Sequence, residues 1–227
     1  IETVTGFKRD YPLEYPKDAL SARMVIDRIH ALSKGNAVVT TDVGQHQMWA
    51  AQFYKTRSPR DWISSGGAGT MGFGFPAAIG AQLARPGELV VAIVGDGGFQ
   101  MTEFELSTAM LQKTPVKILI IDNKYLGMVR QWQDIFFNNR LSGVTMDNNP
   151  DFVMLAQAYG MKGFRITSVD EVDSILSAAL NHDGPCVIHA EVSREDNVFP
   201  MIPAGAEYSA MLLSRPDGPV EKPKGST

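Results

Sequence analysis

Apolar residues in this chain fall into short unbroken runs, and these alternate with stretches in which apolar residues recur at helical spacing. Residues 89–94 and 116–121 read as strands buried on both faces, as the strands of a parallel sheet are. Shorter runs at 37–41, 62–64, 164–167 and 186–192 read as further strands. Between them, Ala22, Val25, Ile26 and Ile29 mark a helix over 18–32, and helices are predicted over 47–54, 75–83, 99–112, 126–137, 151–159 and 170–180. Strand and helix alternating in this way predict an α/β fold: a doubly wound, mostly parallel sheet with helices on both faces. Residues 15–192 form the predicted domain. Residues 1–14 are polar and turn-rich, like the end of an interdomain linker, and residues 193–227, rich in Pro and Gly, read as an extended tail that covers the domain and frays at its end.

The chemistry concentrates where strands end. Gly95-Asp96-Gly97-Gly98 follows the run at 89–94, and Asn123 ends the run at 116–121, with 25 residues between Gly97 and Asn123. That interval holds one helix and one return strand, so both polar residues emerge at the carboxyl ends of parallel strands, where open α/β sheets bind ligands. A carboxylate and an amide oxygen suit a hard divalent cation, which is usually completed by phosphate oxygens. Glycines around Asp96 would let a diphosphate approach backbone N–H groups. Taken alone, the tetrapeptide is as well read as a turn in which Asp96 caps the next helix.

Composition bounds the rest. With 44% hydrophobic and 20% charged residues the chain is that of a globular domain, and 227 residues suit one large domain. A net charge of −4 argues against nucleic acid, and no apolar stretch approaches a membrane span of about 20 residues. The single Cys186 lies in an apolar run and reads as a small core residue. A reducing cytoplasm is the expected setting, or a plastid if the source is eukaryotic. The first residue is Ile1, and the chain is expected to be the C-terminal portion of a longer polypeptide.

Gly-Asp-Gly answered by Asn resembles the thiamine diphosphate motif, with Asp122-Asn123 where many members have Asn-Asn. Residues 43–52 (Val43, Gly44, Gln45, His46 onward), 65–74, 126–133 and 198–203 are similar to the catalytic subunit of acetohydroxyacid synthases, also called acetolactate synthases, and the similarity runs over about 15–205. The resemblance implies the diphosphate-binding domain of an enzyme that decarboxylates pyruvate and joins the two-carbon unit to pyruvate or 2-ketobutyrate, in branched-chain amino-acid biosynthesis. It implies Mg²⁺ held by Asp96, Asn123 and the Tyr125 carbonyl. It places Val43, Gln45, His46, Gly69, Met71, Gly95, Asp96, Gly97, Gly98, Asn123, Tyr125, Gly127 and Met128 around thiamine diphosphate, with Met71 propping its bend. Met128 and Trp132, four apart on one helix face, would line the substrate pocket.

The family's catalytic glutamate belongs to an N-terminal domain, so no catalytic residue is expected in this chain, which alone would bind cofactor at most. Implied partners are FAD, mostly through a central domain, a second copy in a homodimer or tetramer, and a small regulatory subunit. Asp42 is left a structural role, and Arg130 is expected to be solvated. Pyruvate oxidase or glyoxylate carboligase would share the metal motif but not residues 127–132. A non-catalytic cofactor-binding module is the reading from a different class. A Rossmann dehydrogenase is disfavoured, since no Gly-x-Gly-x-x-Gly opens a helix after the first strand.

Overall fold

The apolar runs become six strands: β1 (Val38–Thr41), β2 (Trp62–Ser64), β3 (Val90–Gly95), β4 (Lys117–Asp122), β5 (Lys162–Ile166) and β6 (Cys186–Glu191). The structure, a computed structural model, describes residues 2–10 and 12–216. All five strand pairings are parallel, in the order β2-β1-β3-β4-β6-β5. Every strand therefore ends on the same edge. The chain moves outward from β1 to β2 and then returns to place β3 on the other side of β1, so a topological switch point opens between β1 and β3.

Nine α-helices lie among the described residues: α1 (Glu2–Asp10), α2 (Ala22–Ser33), α3 (Gln45–Phe53), α4 (Gly74–Ala84), α5 (Asp96–Gln100), α6 (Leu106–Leu111), α7 (Gly127–Phe136), α8 (Phe152–Ala158) and α9 (Val172–Leu180). Alternate side chains along the strands go to opposite faces, which divides the core in two. Val39, Val91, Ile93, Leu119 and Ile188 pack with α2, α3 and α9, while Val38, Ala92, Val94, Ile118 and Val187 pack with α4, α6 and α8. Local signals fix the helix ends. Ser21 caps α2 by accepting from the Met24 N–H at 3.2 Å, and Asp151 caps α8 by accepting from Val153 and Met154 at 3.0 Å each. Cys186 is fully buried, and burial pushes its thiol up to about 11, as befits a core residue.

Three expectations are corrected. Residues 2–10 form helix α1 where polar composition suggested turns. The helix expected over 99–112 is broken into α5, a short 3-10 turn at Glu103–Glu105 and α6. Thr102 makes the break: its backbone leaves the helical region at φ −138°, and its hydroxyl donates to the Gly72 carbonyl at 3.0 Å, tying the chain to the glycine loop.

Arg130, expected in solvent, is 2% exposed. It donates to the Asp196 carbonyl and to Asn197 Oδ1, both at 2.7 Å, because residues 193–216 run back over α7 as a strap. The strap is held further by Gln131, whose side chain accepts from the Val198 N–H at 2.7 Å and donates to its carbonyl at 3.2 Å. Asp134 adds bonds to Asn197 (2.9 Å) and Arg215 (2.5 Å), and Met201 and Leu212 pair as an antiparallel bridge. These bonds hold the segment against α7 through residue 216, and the fraying expected of its end falls on 217–227, outside the described residues. No helix among the described residues is long and apolar enough to cross a membrane.

Arg130 and the strap generate a prediction. In Arg130→Ala, the Asp196 carbonyl and Asn197 lose a charged donor and Asp134 loses part of its neutralisation, at a cost of about 2–4 kcal/mol. Limited proteolysis should cut within 193–216 well before the rest of the chain, and a variant cleaved at the parent rate would show that Arg130 does not anchor the strap.

Candidate functional site

The switch point and the neighbouring strand ends surround one cavity of about 210 Å³. Val43, Gly44, Gln45 and His46 enter it after β1, Gly95, Asp96, Gly97 and Gly98 after β3, and Asn123, Tyr125, Leu126, Gly127, Met128 and Val129 after β4. Met71 closes one side from the glycine loop, with Trp49 and Ile121 completing the wall. Sequence reasoning missed Gly44, Trp49, Ile121, Leu126 and Val129; the four apolar ones have the character of any core residue. Gly69 and Trp132, both expected near the ligand, stand outside this wall. Trp132 packs against Phe136 with tilted rings, centroids 5.0 Å apart, and lines an adjoining depression with Val129, Gln133, Phe137 and Arg140. Val129 borders both spaces.

Register explains the most unusual feature of the site. Gly95 of β3 pairs with Ile121 of β4, so Asp96 and Asp122 come next on adjacent strands. The two carboxylates are 2% and 3% exposed. Asn149 Nδ2 donates to both, at 2.7 Å to Asp96 Oδ2 and 3.0 Å to Asp122 Oδ1. Asp122 also accepts from His189 Nε2 at 2.8 Å and from the Lys124 N–H at 3.1 Å. Burial raises the Asp96 carboxyl to about 7, with the Asp122 charge adding to the rise and the Asn149 donor opposing it. Burial works against ionisation of Asp122 too, but the hydrogen bond and charge of His189 outweigh it and hold that carboxyl below the usual range.

Amides organise the other side. Gln45 Nε2 donates to Gln131 Oε1 at 2.8 Å and to the Asp196 carbonyl at 2.9 Å, so its Oε1 faces Asn123 and accepts from Asn123 Nδ2 at 3.0 Å. That bond fixes which end of the Asn123 amide is oxygen: Oδ1 accepts from the Tyr125 N–H at 3.2 Å and keeps a second lone pair. His46 Nε2 is hydrogen-bonded to Asp42 Oδ1, while the Gly72 N–H donates to Asp42 Oδ2 at 2.9 Å. Asp42 is fully buried and bridges the turn after β1 to the glycine loop, the structural role expected of it.

The arrangement offers one carboxylate, at Asp96, and one oriented amide oxygen, at Asn123, on a concave space that Gly97, Gly98 and Tyr125 also line. Both are hard oxygens of the kind a cation such as Mg²⁺ takes, usually together with anionic oxygens from a ligand.

A stability prediction follows from the carboxylate pair. Asp96 holds its proton more tightly when folded (about 7) than at its ordinary value of 3.8, so its contribution favours the folded chain in acid and is lost as pH rises from about 4 through 7. Asp96→Asn removes that ionisation. With cations chelated, the variant should be more stable than the parent by ~2–4 kcal/mol at pH 8, with the gap closing near pH 4. Urea unfolding at both pH values reads this, and a gap independent of pH would show that Asp96 ionises normally.

The comparisons agree with this geometry. Residues 42–190 match the family model described as "Thiamine pyrophosphate enzyme, C-terminal TPP binding domain". The chain is 49% identical over 199 residues to "Acetolactate synthase isozyme 2 large subunit" of Escherichia coli (strain K12), covering 88% of this chain and 36% of that protein. It is 44% identical over 221 residues to "Acetolactate synthase catalytic subunit, mitochondrial" of Saccharomyces cerevisiae, covering 94% and 32%. With "Acetolactate synthase large subunit" of Pyropia yezoensis it shares 42% identity over 214 residues, covering 93% and 36%. The chain thus spans about a third of the length of the curated relatives it matches. With the matched segment running from the turn after β1 into β6 and taking in the strand ends that carry Asp96 and Asn123, the chain belongs to the thiamine pyrophosphate enzyme family, as its C-terminal TPP-binding domain.

Proposed function

We propose that this chain is the diphosphate-binding portion of an acetolactate synthase catalytic subunit, which decarboxylates pyruvate and condenses the two-carbon unit with a second 2-ketoacid. The observation that carries the reading is the placement of Asp96 and Asn123 at the ends of adjacent parallel strands on one cavity. The names of the relatives support the choice among thiamine enzymes.

Asp96, Asn123 Oδ1 and the Tyr125 carbonyl would hold Mg²⁺ together with the diphosphate oxygens, and the donor set fits that role: all three are hard oxygens. His46 and the N–H groups of Gly97 and Gly98 would face the diphosphate. Gln45 was expected to touch it as well, but its carboxamide is taken up by Gln131, Asp196 and Asn123, so its part is to orient Asn123. Met71 and Met128 supply apolar walls for the rings and the substrate. Bound thiamine diphosphate supplies a nucleophilic carbon that adds to a 2-ketoacid and accommodates the charge left when CO₂ departs.

This chain's own residues orient the cofactor, exclude water and neutralise its phosphates. The cavity is smaller than the roughly 300–1,000 Å³ of sites that enclose a drug-sized ligand, which supports closure by a second domain bringing the glutamate base. The second copy of a homodimer would provide it, and the exposed Met101 (54%), Phe104 (59%) and Leu111 (78%) support such an interface. Taken alone, the chain would be a cofactor-binding module.

Two predictions test this reading in the intact enzyme. Asp96→Ala should abolish Mg²⁺-dependent binding of thiamine diphosphate, an effect larger than one hydrogen bond of about 1 kcal/mol. Unchanged affinity in isothermal titration would refute the assignment. Trp132, at the outer wall next to Val129, should favour the longer acceptor, since one methylene in an apolar pocket is worth roughly 1–3 kcal/mol. Trp132→Leu should therefore lower the preference for 2-ketobutyrate over pyruvate about tenfold, read as the product ratio in competition, with cofactor affinity unaltered. An unchanged ratio would make Trp132 a packing residue.

A further inference from the structure

Asn149 lies in the loop that leads from α7 to α8, and neither strand motif contains it. It is nevertheless the residue that joins them. Its Nδ2 donates to Asp96 Oδ2 at 2.7 Å and to Asp122 Oδ1 at 3.0 Å, one amide nitrogen spanning two carboxylates at the ends of β3 and β4. Its Oδ1 accepts from Gln100 Nε2 at 2.9 Å, and the same Gln100 nitrogen donates to the Asp96 carbonyl at 3.2 Å. The orientation of the amide is settled by chemistry: the Gln100 nitrogen, fixed as a donor by the Asp96 carbonyl, can only donate to Asn149, so oxygen must face Gln100 and nitrogen must face the acids.

We infer that Asn149 is a positioning residue: it clips the Asp96 carboxylate by Oδ2 against Asp122, so that Oδ1 is presented to the cation at a fixed angle. The inference rests on the proposed thiamine diphosphate site. Without the clip, the Asp96 side chain loses the amide that holds its Oδ2 beside Asp122, and the cation would have to order it before binding. Asp122 is held independently by His189 and the Lys124 N–H, so it serves as the fixed end of the clip. Groups that orient a metal ligand in this way commonly change affinity 10- to 100-fold when removed.

Mn²⁺ binding to the intact enzyme at saturating thiamine diphosphate, followed by the loss of the free Mn²⁺ paramagnetic resonance signal, tests the role without reference to turnover. Asn149→Ala should weaken Mn²⁺ at least tenfold while the thermal midpoint measured without metal stays within a few degrees of the parent. Parental Mn²⁺ affinity in that variant overturns the inference. If Asn149→Ala does not fold, Gln100→Met carries the test. It keeps the volume of a half-buried side chain but releases the Asn149 carbonyl, and should weaken Mn²⁺ about threefold; no change would overturn the inference equally. Failure of the parent enzyme to bind Mn²⁺ in a cofactor-dependent manner would instead refute the proposed function, so the two failures are distinguishable.

Discussion

Everything in the site depends on one constraint: two carboxylates emerge side by side at the carboxyl edge of a parallel sheet. Because β3 and β4 pair in register up to Gly95 and Ile121, the next residues with acidic side chains, Asp96 and Asp122, are separated by little more than the interstrand spacing of about 4.8 Å. Burying both costs free energy that apolar packing around them cannot return, and the surrounding polar groups are arranged to offset it. His189 from β6 and the Lys124 N–H hold Asp122 ionised, and Asn149 reaches in from a distant loop to donate to both acids. Burial leaves Asp96 holding its proton more tightly than a free carboxyl does. An edge that is locally unfavourable in this way would suit the cation proposed for the site.

The inner strands β3, β4 and β6 were legible because strands buried on both faces read as continuous apolar runs. Asp96 and Asn123 were legible for a related reason: a polar residue directly after such a run has to lie at the sheet edge. What escaped was set by chain segments far away in sequence. Arg130 lies on α7 where local periodicity would send it to solvent, and only the strap some 66 residues later, at Asp196, buries it. Asn149 was one more polar residue in a polar loop. The break at Thr102 was hidden because its cause, the Gly72 carbonyl, lies 30 residues upstream. Met128 and Trp132 were paired by helical spacing, yet the curvature of the wall divides them between two spaces that meet at Val129.

The glycines around Asp96 were read as room for a diphosphate; at two glycines of the cavity, Gly98 and Gly127, the structure shows the protein itself approaching the backbone. A Cβ at Gly98 would lie 2.2 Å from Asp42 Oδ2, and one at Gly127 would lie 2.2 Å from Gln45 Oε1. Both side chains belong to a polar layer that holds cavity residues in place: Asp42 is hydrogen-bonded to His46, and Gln45 to Asn123. Glycine at these two positions therefore lets that layer press directly against the backbone of α5 and α7. The consequence is preorganisation. His46 and Asn123 are held by neighbours that are themselves wedged in place, so a diphosphate and its cation would meet polar groups already aimed at them and need spend little of their binding energy on ordering the protein.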